Sequence, residues 1–214
     1  METSELIWVR ERLKMVRHSL DERINGGNVV IFDTETSGLD PKGNDILSIS
    51  WILADANFNA IKSETRYLDW PEDERRVSKD AIAVNGLTRE RLAKLGVSDR
   101  KDAMEEFIGD LECAVMLIAH NIDFDYSFVK ETALRYGLPT DALDALYRFC
   151  TMQELTDICQ IERFDGSYKR PKLSEAAAKL KVPTDDIDWH TSAADTEVVR
   201  RIMVGITNRG KVSP

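Results

Sequence analysis

The chain has 214 residues, of which 43% are hydrophobic and 31% are charged. This composition excludes disordered, collagen-like and disulfide-scaffold proteins and favours one compact domain. The formal net charge of −9 argues against binding nucleic acid by simple phosphate neutralisation, unless basic patches are local or clustered carboxylates recruit divalent cations. We expect a cytoplasmic protein without a membrane contact, because the apolar runs are short, the first ten residues lack a signal-peptide pattern and three cysteines show no metal-type spacing.

The N-terminal segment has the spacing of an amphipathic helix. Apolar residues recur every three or four positions, which predicts a helix over residues 4–24 that ends at Gly26 and Gly27. We expect residues 1–27 to be a helix appended to a domain over residues 28–214 and packed on the core of that domain. The alternative is that the helix pairs with another subunit and forms a homodimer.

The rest of the chain predicts an α/β fold with a central mixed β-sheet flanked by helices. The predicted strands are 29–33, 45–54, 58–68, 114–119 and 145–150. The predicted helices are 79–84, 88–95, 101–111, 123–136, 151–158, 173–180 and 192–206. Residues 55–57 read as the turn of a hairpin between the second and third strands.

Two acids follow the first strand. Asp33 and Glu35 stand at its carboxyl end, where α/β sheets usually bind ligands, and strand alternation puts both side chains on one face. Such close carboxylates cannot both stay ionised cheaply unless a cation intervenes. Two alternatives remain: the acids are solvated residues after a strand, or the chain is a phosphatase of the haloacid dehalogenase type. The second acid of such a phosphatase should be Asp, whereas this chain has Glu35.

A second cluster lies in residues 119–128, where a buried strand runs directly into a helix. Asn121 has the position of a helix N-cap, and Asp123 and Asp125 suit the first turn because the helix dipole favours acids there. Taken alone, this cluster fits ordinary helix capping.

A third cluster contains His190, Ser192 and Asp195. Ser192 and Asp195 have the spacing of a capping box, so Asp195 also has a purely structural interpretation. Five positions separate His190 from Asp195, a spacing that does not align two side chains on one helix. We therefore expect His190 on the loop before the helix.

Taken together, residues 32–40, residues 120–125 and the pair His190 and Asp195 resemble the three motifs of the DEDDh subgroup of DnaQ-like 3′→5′ exonucleases. Residues 83–88 resemble a further landmark of that family. Motif order, spacing and residue type agree from residue 29 to about residue 203. The chain departs from the family pattern at positions where Thr, His and Asp are frequent, which here are Ser37, Asn85 and Cys150.

The resemblance implies a ribonuclease H-like fold and a two-metal site for hydrolysis. Asp33, Glu35, Asp125 and Asp195 match the family's acids and would hold two divalent cations, Mg²⁺ or Mn²⁺, while Asp123 falls on a variable position. His190 matches the histidine that takes a proton from the attacking water. The residues expected to contact the substrate are Thr34, Thr36, Gly38, Leu39, His120, Asn121 and Phe124.

The expected substrate is the 3′ end of DNA, single-stranded or frayed, in proofreading or repair. An exoribonuclease with the same fold is an alternative, as is a non-catalytic subunit that binds nucleic acid or a DNA polymerase. A polymerase is also a candidate partner of an active enzyme. Residues 163–181 carry six basic and two acidic residues, which fits either phosphate contact or a solvated surface.

Overall fold

The computed structural model describes residues 4–210. Residues 1–3 and 211–214, which the predicted boundaries 1–27 and 28–214 include, lie outside the described residues. The strands are β1 (Asn28–Thr36), β2 (Ile46–Ala54), β3 (Ala60–Tyr67), β4 (Ala114–Ala119) and β5 (Tyr147–Cys150). The helices are α1 (Ser4–Ile24), α2 (Lys79–Asn85), α3 (Arg89–Leu95), α4 (Arg100–Leu111), α5 (Ile122–Arg135), α6 (Asp141–Ala145), α7 (Thr151–Glu154), α8 (Thr156–Cys159), α9 (Leu173–Lys179) and α10 (Ser192–Gly210).

The five strands form one mixed sheet in the order β3-β2-β1-β4-β5. β2 is antiparallel to both β1 and β3, while β1, β4 and β5 run parallel to one another. The carboxyl ends of β1 and β4 therefore lie at the same edge of the sheet. This arrangement confirms the predicted α/β fold with a central mixed sheet and flanking helices.

Alternation along β1 divides the core into two layers. Val29 and Ile31 face a cluster that includes side chains of α1, α9 and α10. Val30 and Phe32 face the opposite cluster, which includes side chains of α4 and α5. Burial on both faces explains why β1 reads as a continuous apolar run rather than an alternating one.

The N-terminal helix packs on the core of its own domain, as predicted. Leu13, Leu20 and Ile24 are at most 3% exposed and belong to the cluster that covers one face of the sheet. Arg17 also donates a hydrogen bond to the carbonyl of Thr207 on α10 at 2.7 Å. Pairing of α1 with a second subunit stays a prediction. Within residues 4–210, no helix combines the length and the apolar character that crossing a bilayer requires.

The hairpin between β2 and β3 is longer than predicted. Asp55 Oδ1 accepts hydrogen bonds from the N–H groups of Asn57 and Asn59 at 2.8 and 2.9 Å, and Phe58 has a φ of 62°. A positive φ is incompatible with a β-strand, so β3 starts at Ala60 rather than at residue 58.

The region 141–159 differs most from the sequence prediction. The predicted strand 145–150 begins only at Tyr147, because residues 141–145 form α6. The predicted helix 151–158 is two short helices, α7 and α8, separated at the buried residue Leu155. Short apolar stretches do not specify such breaks, which depend on tertiary packing.

Candidate active site

Three carboxylates meet at the carboxyl end of β1. β1 continues through Thr36, so Asp33 and Glu35 alternate onto the same face of the sheet. One carboxylate oxygen from each of Asp33, Glu35 and Asp195 lies within 4.8 Å of the others. The strand and the N-terminal turn of α10 thus bring together residues that are distant in the sequence.

The start of α10 is fixed differently from the predicted capping box. Thr191 Oγ1, not Ser192, accepts the N–H of Ala194 at 3.2 Å, so the alternative in which Ser192 and Asp195 form a capping box is not observed. The hydroxyl of Ser192 instead contacts those of Ser48 and Ser50 on β2 at 2.6 and 2.8 Å. This hydroxyl cluster anchors the turn that carries Asp195 to the sheet.

Asp125 lies beside the three carboxylates but is held by a neighbouring strand residue. Its Oδ1 accepts hydrogen bonds from the backbone N–H and the hydroxyl of Thr34, at 3.0 and 2.7 Å. Asp125 is 3% exposed, and its charge raises the pKa values of Asp33 and Glu35. Thr34, which we expected to contact substrate, directs its hydrogen-bonding groups at Asp125.

The four acids carry more negative charge than their surroundings compensate. Burial, followed by repulsion from Asp195 and Asp125, raises the pKa of Glu35 to about 8. Burial and the charges of Asp125, Glu35 and Asp195 raise the pKa of Asp33 well above its usual range. Burial also raises the pKa of Asp195. A nearby positive charge would stabilise the ionised form of each of these carboxyl groups.

The donor set fits a divalent metal ion. Within the described part of the chain, Asp195 Oδ1 is buried and has no hydrogen-bond partner. A buried oxygen without a donor is rare in folded proteins and indicates a missing ion or water. Carboxylate oxygens are the ligands that Mg²⁺ and Mn²⁺ prefer, and Asp33 and Glu35 complete the group around Asp195.

His190 lies on the exposed loop before α10, as predicted. Its backbone has a φ of 69°, in the left-handed region. Its backbone N–H and its imidazole, when charged, both lie close enough to the Asp195 carboxylate to lower the pKa of Asp195. The imidazole is therefore both next to the carboxylate group and open to solvent.

The loop after β1 holds one of the expected substrate contacts out in solvent. Leu39 is 82% exposed. The preceding Gly38 packs so closely that an added Cβ would lie 2.3 Å from the Asn44 side chain. Thr36 Oγ1 donates to the Gly38 carbonyl at 2.6 Å. Thr36 and Gly38 thus shape the loop, whereas Leu39 is free to meet a ligand.

The second cluster gives its residues separate environments. His120 Nε2 donates to the Pro171 carbonyl at 3.0 Å, and Nδ1 lies 3.0 Å from the Thr151 hydroxyl, so both ring nitrogens have protein partners. Burial lowers the pKa of His120. Asn121 is the N-cap residue of α5, as predicted, but it has a φ of 77° and its side chain makes no capping hydrogen bond. Phe124 is half-buried and packs on Phe128, with 4.9 Å between ring centroids.

Asn85 is a site residue whose role the sequence did not predict. Its side chain lies close enough to Glu35 to act to lower the pKa of that carboxyl, and its Nδ2 donates to the Thr36 carbonyl at 3.0 Å. The Leu87 N–H holds the Asn85 Oδ1 at 3.0 Å and so fixes the orientation of the amide. The one available signal was the family landmark at residues 83–88, in which Asn85 departs from the frequent His.

Comparison with known proteins identifies the family to which this chain belongs. The RNase_T family model, described as Exonuclease, matches residues 30–203. Ribonuclease T of Klebsiella pneumoniae is 25% identical, over 91% of this chain and 91% of the relative. A PolC-type DNA polymerase III of Mycoplasma genitalium is 22% identical, over 90% of this chain and only 12% of the polymerase.

The fold is also similar to solved structures. The crystal structure of E. coli Exonuclease I in complex with a dT13 oligonucleotide aligns with a TM-score of 0.71 at 16% identity. The alignment covers 86% of this chain and 41% of that chain, so this protein spans less than half of the Exonuclease I length. The similarity confirms the predicted ribonuclease H-like fold. Because the family model covers most of the chain, the protein belongs to the exonuclease family.

Proposed function

We propose that this protein removes nucleoside 5′-monophosphates one at a time from the 3′ end of DNA, at single-stranded or frayed ends. The cluster of carboxylates at the end of β1 carries the proposal. Oxygens of Asp33, Glu35 and Asp195 lie within 4.8 Å of one another, and the buried Asp195 Oδ1 has no hydrogen-bond donor. Similarity to Exonuclease I structures that contain dT13 and dA16 oligonucleotides favours DNA.

The proposed metal ligands are Asp33, Glu35, Asp125 and Asp195, with two ions of Mg²⁺ or Mn²⁺. Divalent cations bound there would supply Lewis acidity and neutralise charge on the scissile phosphate. An imidazole nitrogen of His190 takes the proton of the attacking water, for which its exposed position beside Asp195 is suitable. Thr34 orients Asp125, and Asn85 orients Glu35.

RNA is the second candidate substrate. The ribonuclease T relatives favour it, because their similarity extends over nearly their whole length, 91% for the protein of Klebsiella pneumoniae. The PolC-type polymerases favour a DNA polymerase as a protein partner. Residues 28–214 are the proposed catalytic domain, which contains the residues 30–203 that the family model matches.

Digestion of end-labelled substrates tests the proposal. Single-stranded DNA, duplex DNA and RNA of one sequence would be incubated side by side with Mg²⁺, Mn²⁺ or EDTA. We expect a ladder of products shortened from the 3′ end, release of 5′-monophosphates, fastest digestion of single-stranded DNA and no digestion in EDTA. Faster digestion of RNA would transfer the proposal to the ribonuclease candidate. Metal-dependent digestion of none of them would favour a non-catalytic binding subunit.

A further inference from the structure

The segment between α8 and α9 forms a hairpin that we call the arm, defined as residues 160–172. Glu162 and Tyr168 pair as an antiparallel bridge. The Lys169 N–H also donates to the Ile161 carbonyl at 2.8 Å. Most residues of the arm are exposed, so backbone hydrogen bonds, rather than burial, define its shape.

The tip of the arm presents an aromatic ring to solvent. Gly166 has a φ of 80°, and Ser167 donates both its N–H and its hydroxyl to Asp165 Oδ1, at 2.9 and 2.6 Å. These bonds close a tight turn that leaves Phe164 completely exposed. A large apolar ring displayed on an ordered turn is a surface suited to stacking.

The arm that carries this ring has an excess of basic residues although the whole protein has a net charge of −9. The arm contains four basic and two acidic residues. Of the acidic residues, Asp165 is engaged by Ser167 within the turn. Arg163, Arg170 and Lys172 are exposed. An aromatic ring among exposed cations is the combination with which proteins bind single-stranded nucleic acid without sequence preference.

The base of the arm is fixed at the edge of the sheet that carries the candidate active site. The Pro171 carbonyl accepts the hydrogen bond from His120 Nε2 at 3.0 Å. His120 directly follows β4, which is parallel to β1, and α5 with Asp125 begins two residues later. The base of the arm therefore lies near the carboxyl ends of the parallel strands, where Asp33 also lies.

We propose that the arm binds the single-stranded nucleic acid substrate upstream of its 3′ terminus, with Phe164 stacked on a base and Arg163, Arg170 and Lys172 contacting phosphates. The proposal rests on the proposed exonuclease function, which it extends from the terminal nucleotide to the strand behind it. If the arm binds the strand in this way, the affinity for substrate depends on the length of the strand but not on its base sequence.

The test compares Phe164→Ala with Ile61→Ala. Ile61 is a matched control because it is an exposed apolar residue on β3, the outer strand of the sheet on the side away from β4 and β5. Fluorescence anisotropy would measure the Kd for labelled dT15 that carries phosphorothioate linkages at its 3′ end, with Ca²⁺ present. We expect Phe164→Ala to weaken binding about tenfold and Ile61→Ala to leave it unchanged. Arg170→Gln should lower the slope of log affinity against log salt by about 0.7.

Hydrolysis separates the arm from the active site. We expect Phe164→Ala to lower kcat/KM for dT15 but not for dT3, since a trinucleotide has few bases behind its terminal nucleotide. Equal affinity of Phe164→Ala and the unaltered protein for dT15 would overturn the arm proposal, even if both degrade DNA. If the unaltered protein hydrolyses neither DNA nor RNA and yet needs Phe164 to bind dT15, the exonuclease proposal fails and the arm proposal stands.

Discussion

Thr34 donates two hydrogen bonds to a single oxygen of Asp125, one from its backbone N–H at 3.0 Å and one from its hydroxyl at 2.7 Å. Both residues are buried. These bonds stabilise the ionised form of Asp125 against the burial that raises its pKa, and they fix which oxygen remains available to a ligand.

The first prediction concerns this pair. Thr34→Val removes the hydroxyl without changing the shape of the side chain, so Asp125 loses one donor and a fixed orientation. Removal of such supporting bonds typically costs about 10–100-fold in metal affinity or activity. Mn²⁺ titration calorimetry and kcat would measure the loss, and Thr34→Ser should restore both. Wild-type metal affinity and turnover in Thr34→Val would contradict the role assigned to Thr34.

The second prediction concerns metal binding by Asp195. Asp195→Asn should abolish hydrolysis and weaken Mn²⁺ binding, while the thermal midpoint stays the same or rises because a buried, repelled charge is removed. EDTA should abolish wild-type activity, and Mg²⁺ or Mn²⁺ should restore it. Asp185→Asn is the matched control, since Asp185 is an exposed acid on the preceding loop. Undiminished turnover by Asp195→Asn would exclude Asp195 as a metal ligand.

The third prediction concerns His190. If its imidazole accepts the proton of the attacking water, His190→Ala should lower kcat by about 10²–10⁴-fold and change KM much less. Steady-state kinetics on a labelled oligonucleotide would measure both parameters. His18→Ala is the control, because His18 lies on α1 with a side chain that is 77% exposed. A near-normal kcat in His190→Ala would show that His190 is a structural loop residue only.

The fourth prediction concerns pH and the metal-free protein. Glu35 has a pKa of about 8 in the folded state against an ordinary value of 4.5, so between these values the folded state binds more protons than the unfolded state. Stability linked to Glu35 is therefore complete below pH 4.5 and falls as the pH rises through 8. In EDTA, the free energy of unfolding of the wild type should fall relative to that of Glu35→Gln between pH 5 and pH 8.

Urea titrations at several pH values would measure that difference. Added Mg²⁺ should reverse the trend for the wild type, because a bound cation favours the ionised carboxylate and releases its proton. A stability difference that is independent of pH would mean that Glu35 is ionised in the metal-free fold.

The sequence was sufficient wherever local periodicity determined the structure. Alternation along β1 predicted that Asp33 and Glu35 share a face, and the bounds of β4 at residues 114–119 match the prediction. Strand alternation is a property of the backbone alone, so it needs no knowledge of the remaining chain.

The sequence was insufficient where partners are distant. Ser192 has the spacing of a cap, but its hydroxyl lies 2.6 Å from that of Ser48, 144 residues away. Asn121 is the N-cap residue that the sequence predicted, but its left-handed backbone and the absence of a side-chain capping bond were not predictable from residue type. The signal for the first case was present in β2, where Ser48 and Ser50 are polar residues in a completely buried strand. Buried hydroxyls require partners, although the sequence does not identify them.

The backbone at His190 is left-handed, with a φ of 69°. The residue that would give the most stable fold at this position therefore differs from the residue that the proposed activity needs. Histidine tolerates that conformation less well than glycine, which adopts it without steric cost. His190→Gly should therefore unfold at a higher temperature than His190→Ala in calorimetry, although both lack the imidazole. In a duplicated copy of this chain that no longer needed to be active, substitution of His190 by glycine or asparagine would relieve the backbone strain. Histidine there would then mark lineages in which hydrolysis is still under selection.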